Sequence, residues 1–367
     1  MSTQPRIVLI GATGYTGTLV AGELAGGASP FVLTGRDSSK LGRLARDLGV
    51  AETRVVDVTN RGSLRRALRP GDVVINCAGP FTDLGEAVVA ACIESGTHYV
   101  DTTGEQRFMK RIFDHYDRAA RDAGVVVANA MAFEYAIGDC AVAVAAEGLA
   151  TPLPSVDVTY AWQGGAAASS RGTRRSMLRV LREGGYMYRG GEWRTQAVGA
   201  QRRTVRLPDG TSRAALSFPA GETLSVPRHL EVEEVRGWIV AGRYAAAVMP
   251  LVSGVLPSLV RLSSPVTERV LRGAPDGPPE EARKASRFTI QVEAAGADGA
   301  RRAVSVRGQD PYGLTAIIAV HGAMRVLESA GTRSGVLTPA QLLEPAAFLE
   351  MLAPYGLTWN EHSPRAA

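Results

Sequence analysis

Arg6-Ile7-Val8-Leu9-Ile10-Gly11-Ala12-Thr13-Gly14-Tyr15-Thr16-Gly17 is a strand that runs into a glycine turn and opens a helix. Ile7 to Ile10 is an unbroken apolar run, as a parallel strand covered on both faces requires. Gly11 supplies the tight turn, Gly14 lets the backbone come close to an anion, and Gly17 lets the helix pack on the sheet. Free N–H groups and the positive end of the helix dipole then face a phosphate. A helical run follows at 18–24 and a second apolar strand at 31–34, the context the motif needs. The expected ligand is a dinucleotide, held at Gly11, Ala12, Thr13, Gly14, Tyr15 and Thr16.

The second strand ends in Gly35-Arg36-Asp37-Ser38-Ser39-Lys40. An NAD enzyme usually places a carboxylate here against the ribose 2′-hydroxyl, and this chain has an arginine. A guanidinium forked onto a 2′-phosphate, with Ser38 and Lys40 as further donors, is the NADP solution. NADP (NADPH) is therefore the predicted cofactor, while Asp37, one register step away, leaves a ribose carboxylate open.

A chain of 367 residues exceeds one ordinary core and predicts two domains. Its net charge of +5 is thinly spread and almost all arginine, with lysine only at Lys40, Lys110 and Lys284, so no nucleic-acid partner is expected. Arg171, Arg174, Arg175, Arg179 and Arg182 cluster as a solvated helix face or an arm for a phosphate-bearing substrate. Cys77, Cys92 and Cys140 sit in apolar contexts, with neither a disulfide framework nor zinc spacing, so no metal is expected. The first strand starts within a few residues of Met1, which predicts a cytoplasmic protein without a leader. The window 238–260 is the most apolar, but Arg243, Pro250, Gly254 and Pro257 make it a poor membrane span. It reads as a buried or pocket-lining segment.

Strands beginning near positions 6, 31, 54, 72, 98 and 125 alternate with helices, the pattern of a doubly wound parallel sheet. From about Ala132 the texture changes to alternating stretches at 155–162, 203–207, 213–218 and 288–292, as in antiparallel strands. Segments 179–194 and 265–283 read as surface connections rich in glycine, proline and charge. A helix is predicted at 314–329, and Thr338-Pro339-Ala340 opens a short last one.

Ligands bind at the carboxyl ends of strands in open α/β sheets. That rule selects Ala78, Gly79 and Pro80 after the fourth strand, Tyr99, Asp101 and Glu105 around the fifth, and Asp57 with Val58 beside an adenine. Tyr135, Arg171, Thr173 and Tyr312 join the candidate catalytic set from further along the chain. For each, a helix cap or a core partner is the alternative role, and Asp101 and Glu105 could cap the helix near Gln106. No tyrosine has a lysine four residues later, which removes the common short-chain reductase pair. His98, His115 and His321 read as structural.

Gly11-Ala12-Thr13-Gly14-Tyr15-Thr16-Gly17, Asn76-Cys77-Ala78-Gly79-Pro80-Phe81, Gly85-Glu86, Ala91-Cys92-Ile93 and Gly96-Thr97-His98-Tyr99-Val100-Asp101-Thr102-Thr103-Gly104-Glu105 together resemble the saccharopine dehydrogenase family. Gly172-Thr173, Gly277-Pro278-Pro279 with Glu281 and Arg283, Asp310-Pro311-Tyr312 with Thr315-Ala316, and Gly335-Val336-Leu337-Thr338-Pro339-Ala340 extend the resemblance nearly end to end. They suit the branch of trans-acting enoyl reductases and saccharopine dehydrogenase-like oxidoreductases. Ser170-Arg171-Gly172-Thr173 departs from the family's paired glycines before the threonine.

The resemblance implies an α/β fold: a Rossmann domain over 1–131 plus 311–367, and an inserted mixed α+β domain over 132–310 for substrate and dimerisation. It implies an NADPH-dependent reductase of an activated double bond, on an enoyl thioester or conjugated carbonyl. An imine or iminium reductase is the alternative, and an NADP-binding sensor without turnover is the alternative of another class. A small-molecule substrate, acyl-bearing or carrier-bound, and a homodimer are the expected partners.

Overall fold

The computed structural model describes residues 4–163 and 169–362. In the first stretch, β1 (Ile7–Ile10), α1 (Tyr15–Ala25), β2 (Phe31–Gly35), α2 (Ser38–Leu48), β3 (Thr53–Val55) and α3 (Arg61–Ala67) alternate. They are followed by β4 (Val73–Asn76), α4 (Phe81–Glu94), β5 (His98–Asp101), α5 (Gln106–Asp122), β6 (Val126–Ala128) and α6 (Phe133–Ala146).

The next stretch holds β7 (Ser155–Gln163), α7 (Arg171–Glu183), β8 (Gly185–Arg189), β9 (Glu192–Gln196), β10 (Arg202–Arg206) and β11 (Ser212–Ser217). After these come α8 (Glu222–Ser225), β12 (Glu234–Val240), α9 (Arg243–Val252), α10 (Leu256–Gly273), α11 (Glu280–Ala285), β13 (Arg287–Ala295) and β14 (Arg301–Gln309). The chain closes with α12 (Pro311–Glu328), β15 (Gly335–Leu337), α13 (Pro339–Leu342), α14 (Pro345–Met351) and β16 (Thr358–His362).

Two units result. The first runs to Ala136 and includes Tyr312–Leu343; the second is Ile137–Pro311 and the chain from Glu344. The sequence assigned everything from 311 to the first domain, yet the last segment belongs to the second, because β16 pairs antiparallel with β14.

The first unit is one seven-stranded sheet in the order β15-β6-β5-β4-β1-β2-β3, parallel at every pairing. This is the doubly wound Rossmann order, with its switch point between β1 and β4. Every residue of β1 and β4 is buried. Helix α1 buries Gly17, Val20, Ala21 and Leu24, a three-and-four spacing that makes one apolar face. Beneath the amino ends of the strands, buried Arg6 donates to Asp72 at 2.9 Å, to Glu52 at 2.6 Å and to the Ala67 carbonyl at 3.2 Å.

The second unit is a mixed nine-stranded sheet, β10-β11-β12-β7-β13-β14-β16, with β8 on β12 and β9 on β8. Two expected surface connections are regular structure instead. Segment 179–194 completes α7 and forms the β8–β9 hairpin, whose turn residues Gly190 and Gly191 both have positive φ. Segment 265–283 completes α10, keeps an irregular connection only over 274–279, and starts α11.

Window 238–260 also differs from expectation. Trp238 is buried in β12 and donates to Asp157 at 2.6 Å, but Leu251 is 85% exposed and Val255 58%. Beyond the strand Ala246 and Ser253 are buried, but most of the window is partly or fully exposed. No single helix among the described residues is long and apolar enough to cross a membrane.

Candidate dinucleotide site

The three glycines of the turn have three different reasons to be glycine. Gly11 has φ +80°, and a Cβ there would lie 2.9 Å from the Ala78 nitrogen, so the turn is pressed against the loop after β4. At Gly17 a Cβ would lie 2.1 Å from the Gly11 carbonyl oxygen, which a bonded helix on a sheet cannot accommodate. Gly14 is exposed, has an ordinary extended φ of −80°, and a Cβ would find nothing closer than 3.4 Å. The fold itself does not demand glycine at Gly14, and its bare backbone lies open to solvent.

Helix α1 begins here with no side-chain cap and no acidic residue in its first turn. Its first N–H groups have no intrahelical acceptor, and the dipole adds positive charge. Ala12 is buried, while Thr13, Tyr15 and Thr16 are half-buried around the turn. The Tyr15 ring meets Tyr312 of α12 edge-on, centroids 5.1 Å apart, so the returning helix props the turn.

The helix that follows β2 on this edge is closed. Asp37 accepts from the Lys40 amide at 3.0 Å and caps α2, which holds its carboxyl below the usual range. That carboxylate serves the helix, and Arg36 beside it stays exposed with Ser38 and Lys40. Asp57 binds the Thr59 hydroxyl at 2.7 Å and amide at 2.9 Å, which lowers its pKa, with Arg36 adding to the effect. Val58 is half-buried next to it. After β4, Ala78 and Pro80 are half-buried and Gly79 exposed.

Several predicted catalytic residues are scaffold. Tyr99 and Asp101 have no exposed surface. The Ala78 amide donates to Asn76 at 3.0 Å, Asn76 to the Tyr99 oxygen at 3.1 Å, and Tyr99 to Asp101. Asp101 also accepts from the Thr103 amide at 3.0 Å, the Ala130 amide at 2.9 Å and Asn129 at 2.7 Å. Burial pushes its carboxyl up to about 6 against these donors. This chain ties the ends of β4, β5 and β6 together and holds Ala130 at φ +61°, a strained value for a side-chain-bearing residue.

Glu105 is also corrected. It lies buried and accepts from the Phe81 amide at 3.1 Å and the Thr82 amide at 3.0 Å, capping α4 rather than the helix that starts beside it. Tyr135 is buried with its hydroxyl on the Gly104 carbonyl at 3.4 Å. Tyr312 is occupied against Tyr15. In the second unit, Arg171 pairs with Asp276 and donates to the Ala274 carbonyl at 3.4 Å, so it fixes a turn. Thr173 is exposed and sits 3.0 Å from the Ser170 hydroxyl that caps α7.

One residue missed by sequence reasoning stands on this edge. Glu134, in the first turn of α6, is half-buried, and among the described residues its carboxyl takes a hydrogen bond only from its own amide. Burial pushes it up to about 7. A Cβ on Gly104 would lie 3.2 Å from its Oε1, so the glycine after β5 makes room for it. The available signal was a lone carboxylate inside the apolar run Ala132-Phe133-Glu134-Tyr135-Ala136.

Residues 7–128 match the family described as the saccharopine dehydrogenase NADP binding domain. A Mycobacterium tuberculosis protein named as a trans-acting enoyl reductase is 34% identical over 195 residues, covering 49% of this chain and 46% of that protein. The Bos taurus saccharopine dehydrogenase-like oxidoreductase is 32% identical over 158 residues, 36% of each. The chain thus spans less than half the length of these relatives. The solved saccharopine dehydrogenase (L-Glu forming) of Saccharomyces cerevisiae matches with a TM-score of 0.64 and 15% identity over 99% of this chain and 100% of its own, a likeness of fold.

Proposed function

Because residues 7–128 match the saccharopine dehydrogenase NADP binding domain, we propose that this protein is an NADPH-dependent reductase of an enoyl thioester or similarly conjugated carbonyl. The uncapped α1 turn binds the pyrophosphate through backbone amides. Arg36, with Ser38 and Lys40, receives the 2′-phosphate. Bound NADPH supplies a hydride to the electron-poor carbon.

Reduction of a conjugated double bond also consumes a proton at the carbon next to the carbonyl. Glu134 is the group suited to hold it, and its position on the carboxyl edge is the observation that carries the reading. With its carboxyl pushed up to about 7, a large share of molecules carry the proton at neutral pH, where an ordinary glutamate carries almost none. The enoyl reductase name of the mycobacterial relative supports the same choice.

The test is NADPH oxidation with a panel of enoyl thioesters and cyclic imines. Enoyl thioesters are expected to turn over, with a rate that falls about tenfold per pH unit above about 7 as Glu134 loses its proton. Glu134→Gln should lower kcat roughly 100-fold or more and leave NADPH affinity unchanged. Turnover of imines alone would replace the substrate class, and no turnover on either would favour a cofactor-binding sensor.

A further inference from the structure

We infer that the α9–α10 corner of the second unit is a docking surface for an anionic lipid bilayer. The corner is built inside out for a helix in water. Along α10, Val260, Ser264, Thr267 and Leu271 are partly or fully buried, and Ser264 and Thr267 turn their hydroxyls back onto helix carbonyls. The outward face carries Val255, Leu259, Leu262, Val266 and Val270, spaced by three and four residues, with Leu262 82% exposed. Ser264 and Thr267 face the protein while five branched aliphatics share the exposed side with Ser258 and Ser263, an arrangement unlike a solvated amphipathic helix.

Helix α9 continues the surface with Val248 and Leu251. The two helices meet at 93° across the Ser253-Gly254 break, so Leu251 and Val255 stand at the corner. Contiguous aliphatics of this extent mark an interaction site. Neither helix alone is long and apolar enough to span a bilayer, and a sharply bent pair with an aliphatic stripe flanked by arginines suits an element that lies in its interface.

Charge selects the occupant. Positions 243–273 hold Arg243, Arg261, Arg269 and Arg272 against one acidic residue. All four arginines are exposed beside the apolar stripe. A second copy would bring the same arginines with almost no carboxylate to meet them. Anionic headgroups supply the counter-charge while the acyl region takes the aliphatics.

The experiment uses the full chain and sedimentation with vesicles of phosphatidylcholine, with and without one-third phosphatidylglycerol. Binding to the anionic vesicles is expected to be about tenfold tighter or more, and to weaken with salt. Leu259→Asp with Leu262→Asp should reduce it at least about tenfold while NADPH affinity and melting temperature stay put, since both side chains are exposed. Arg261→Gln with Arg269→Gln, which leaves the aliphatic face intact, should bind anionic and neutral vesicles alike, and this pair decides the question if the aspartates disturb folding. The inference is overturned if the native chain ignores both vesicles, if neither pair changes binding, or if the native chain is a dimer that the aspartate pair splits.

Discussion

Two helices start from the same edge of the same parallel sheet, α1 after β1 and α4 after β4, and their first turns are treated in opposite ways. At α4 the buried Glu105 carboxylate takes the Phe81 and Thr82 amides, and the positive end is neutralised from within. At α1 the cap residue Gly14 has no side chain to offer, the first turn holds no acid, and Gly14 is exposed. Position in the fold is therefore insufficient to identify a ligand site. What separates α1 from α4 is that a buried carboxylate meets the first amides of α4, while α1 starts at an exposed glycine turn.

Exchanging the two situations breaks the comparison most sharply. Gly14→Asp puts a carboxylate at the open end, where backbone geometry accepts any residue. Repulsion of a pyrophosphate charge at close range is about 4 kcal/mol at a surface-like dielectric, so NADPH affinity should fall roughly a thousandfold. Stability should rise by ~0.3–1 kcal/mol, because an aspartate is a favoured helix cap. Titration and thermal melting on one sample separate the two signs.

Glu105→Ala runs the exchange the other way. It orphans a buried and a partly buried amide at α4, at up to about 1–3 kcal/mol for an unsatisfied buried group, and should lower the melting temperature clearly with a smaller effect on cofactor affinity. Gly17→Ala, whose methyl would overlap the Gly11 carbonyl, should destabilise by ~1–3 kcal/mol and weaken binding only through the distorted turn. The smallest effect belongs to Asp37→Ala: a modest loss of melting temperature as α2 loses its cap, with the NADPH to NADH ratio intact. A rise in NADPH preference instead would show that Asp37 faces the ribose.

Much of this was legible because it is local. The apolar run Ile7–Ile10, the glycine spacing and the alternation of strands and helices fix the parallel sheet without reference to distant residues. The role expected of Arg36 rests on the same kind of local signal, its distance along the chain from the glycine turn. Glu105 could not, because it caps a helix that begins 24 positions earlier. Tyr99 and Asp101 misled because the end of a buried strand serves both ligands and the ties between strands, and the sequence His98-Tyr99-Val100-Asp101 does not say which. Glu134 was hidden by its apolar neighbours, although Gly104 across from it is the kind of residue that makes space for a functional group. The β8–β9 hairpin was readable from Gly190-Gly191, which a tally of glycine and charge obscured.

The reading of the open helix end beside an exposed arginine is tested most directly by calorimetric titration of the native chain with NADPH and with NADH. A hydrogen bond to a charged group is worth ~1.5–3 kcal/mol, so NADPH is expected to bind about tenfold tighter or more, with Arg36→Ala removing most of the difference. Equal affinities in the native chain, or a preference for NADH, would contradict the assignment of Arg36 to the 2′-phosphate.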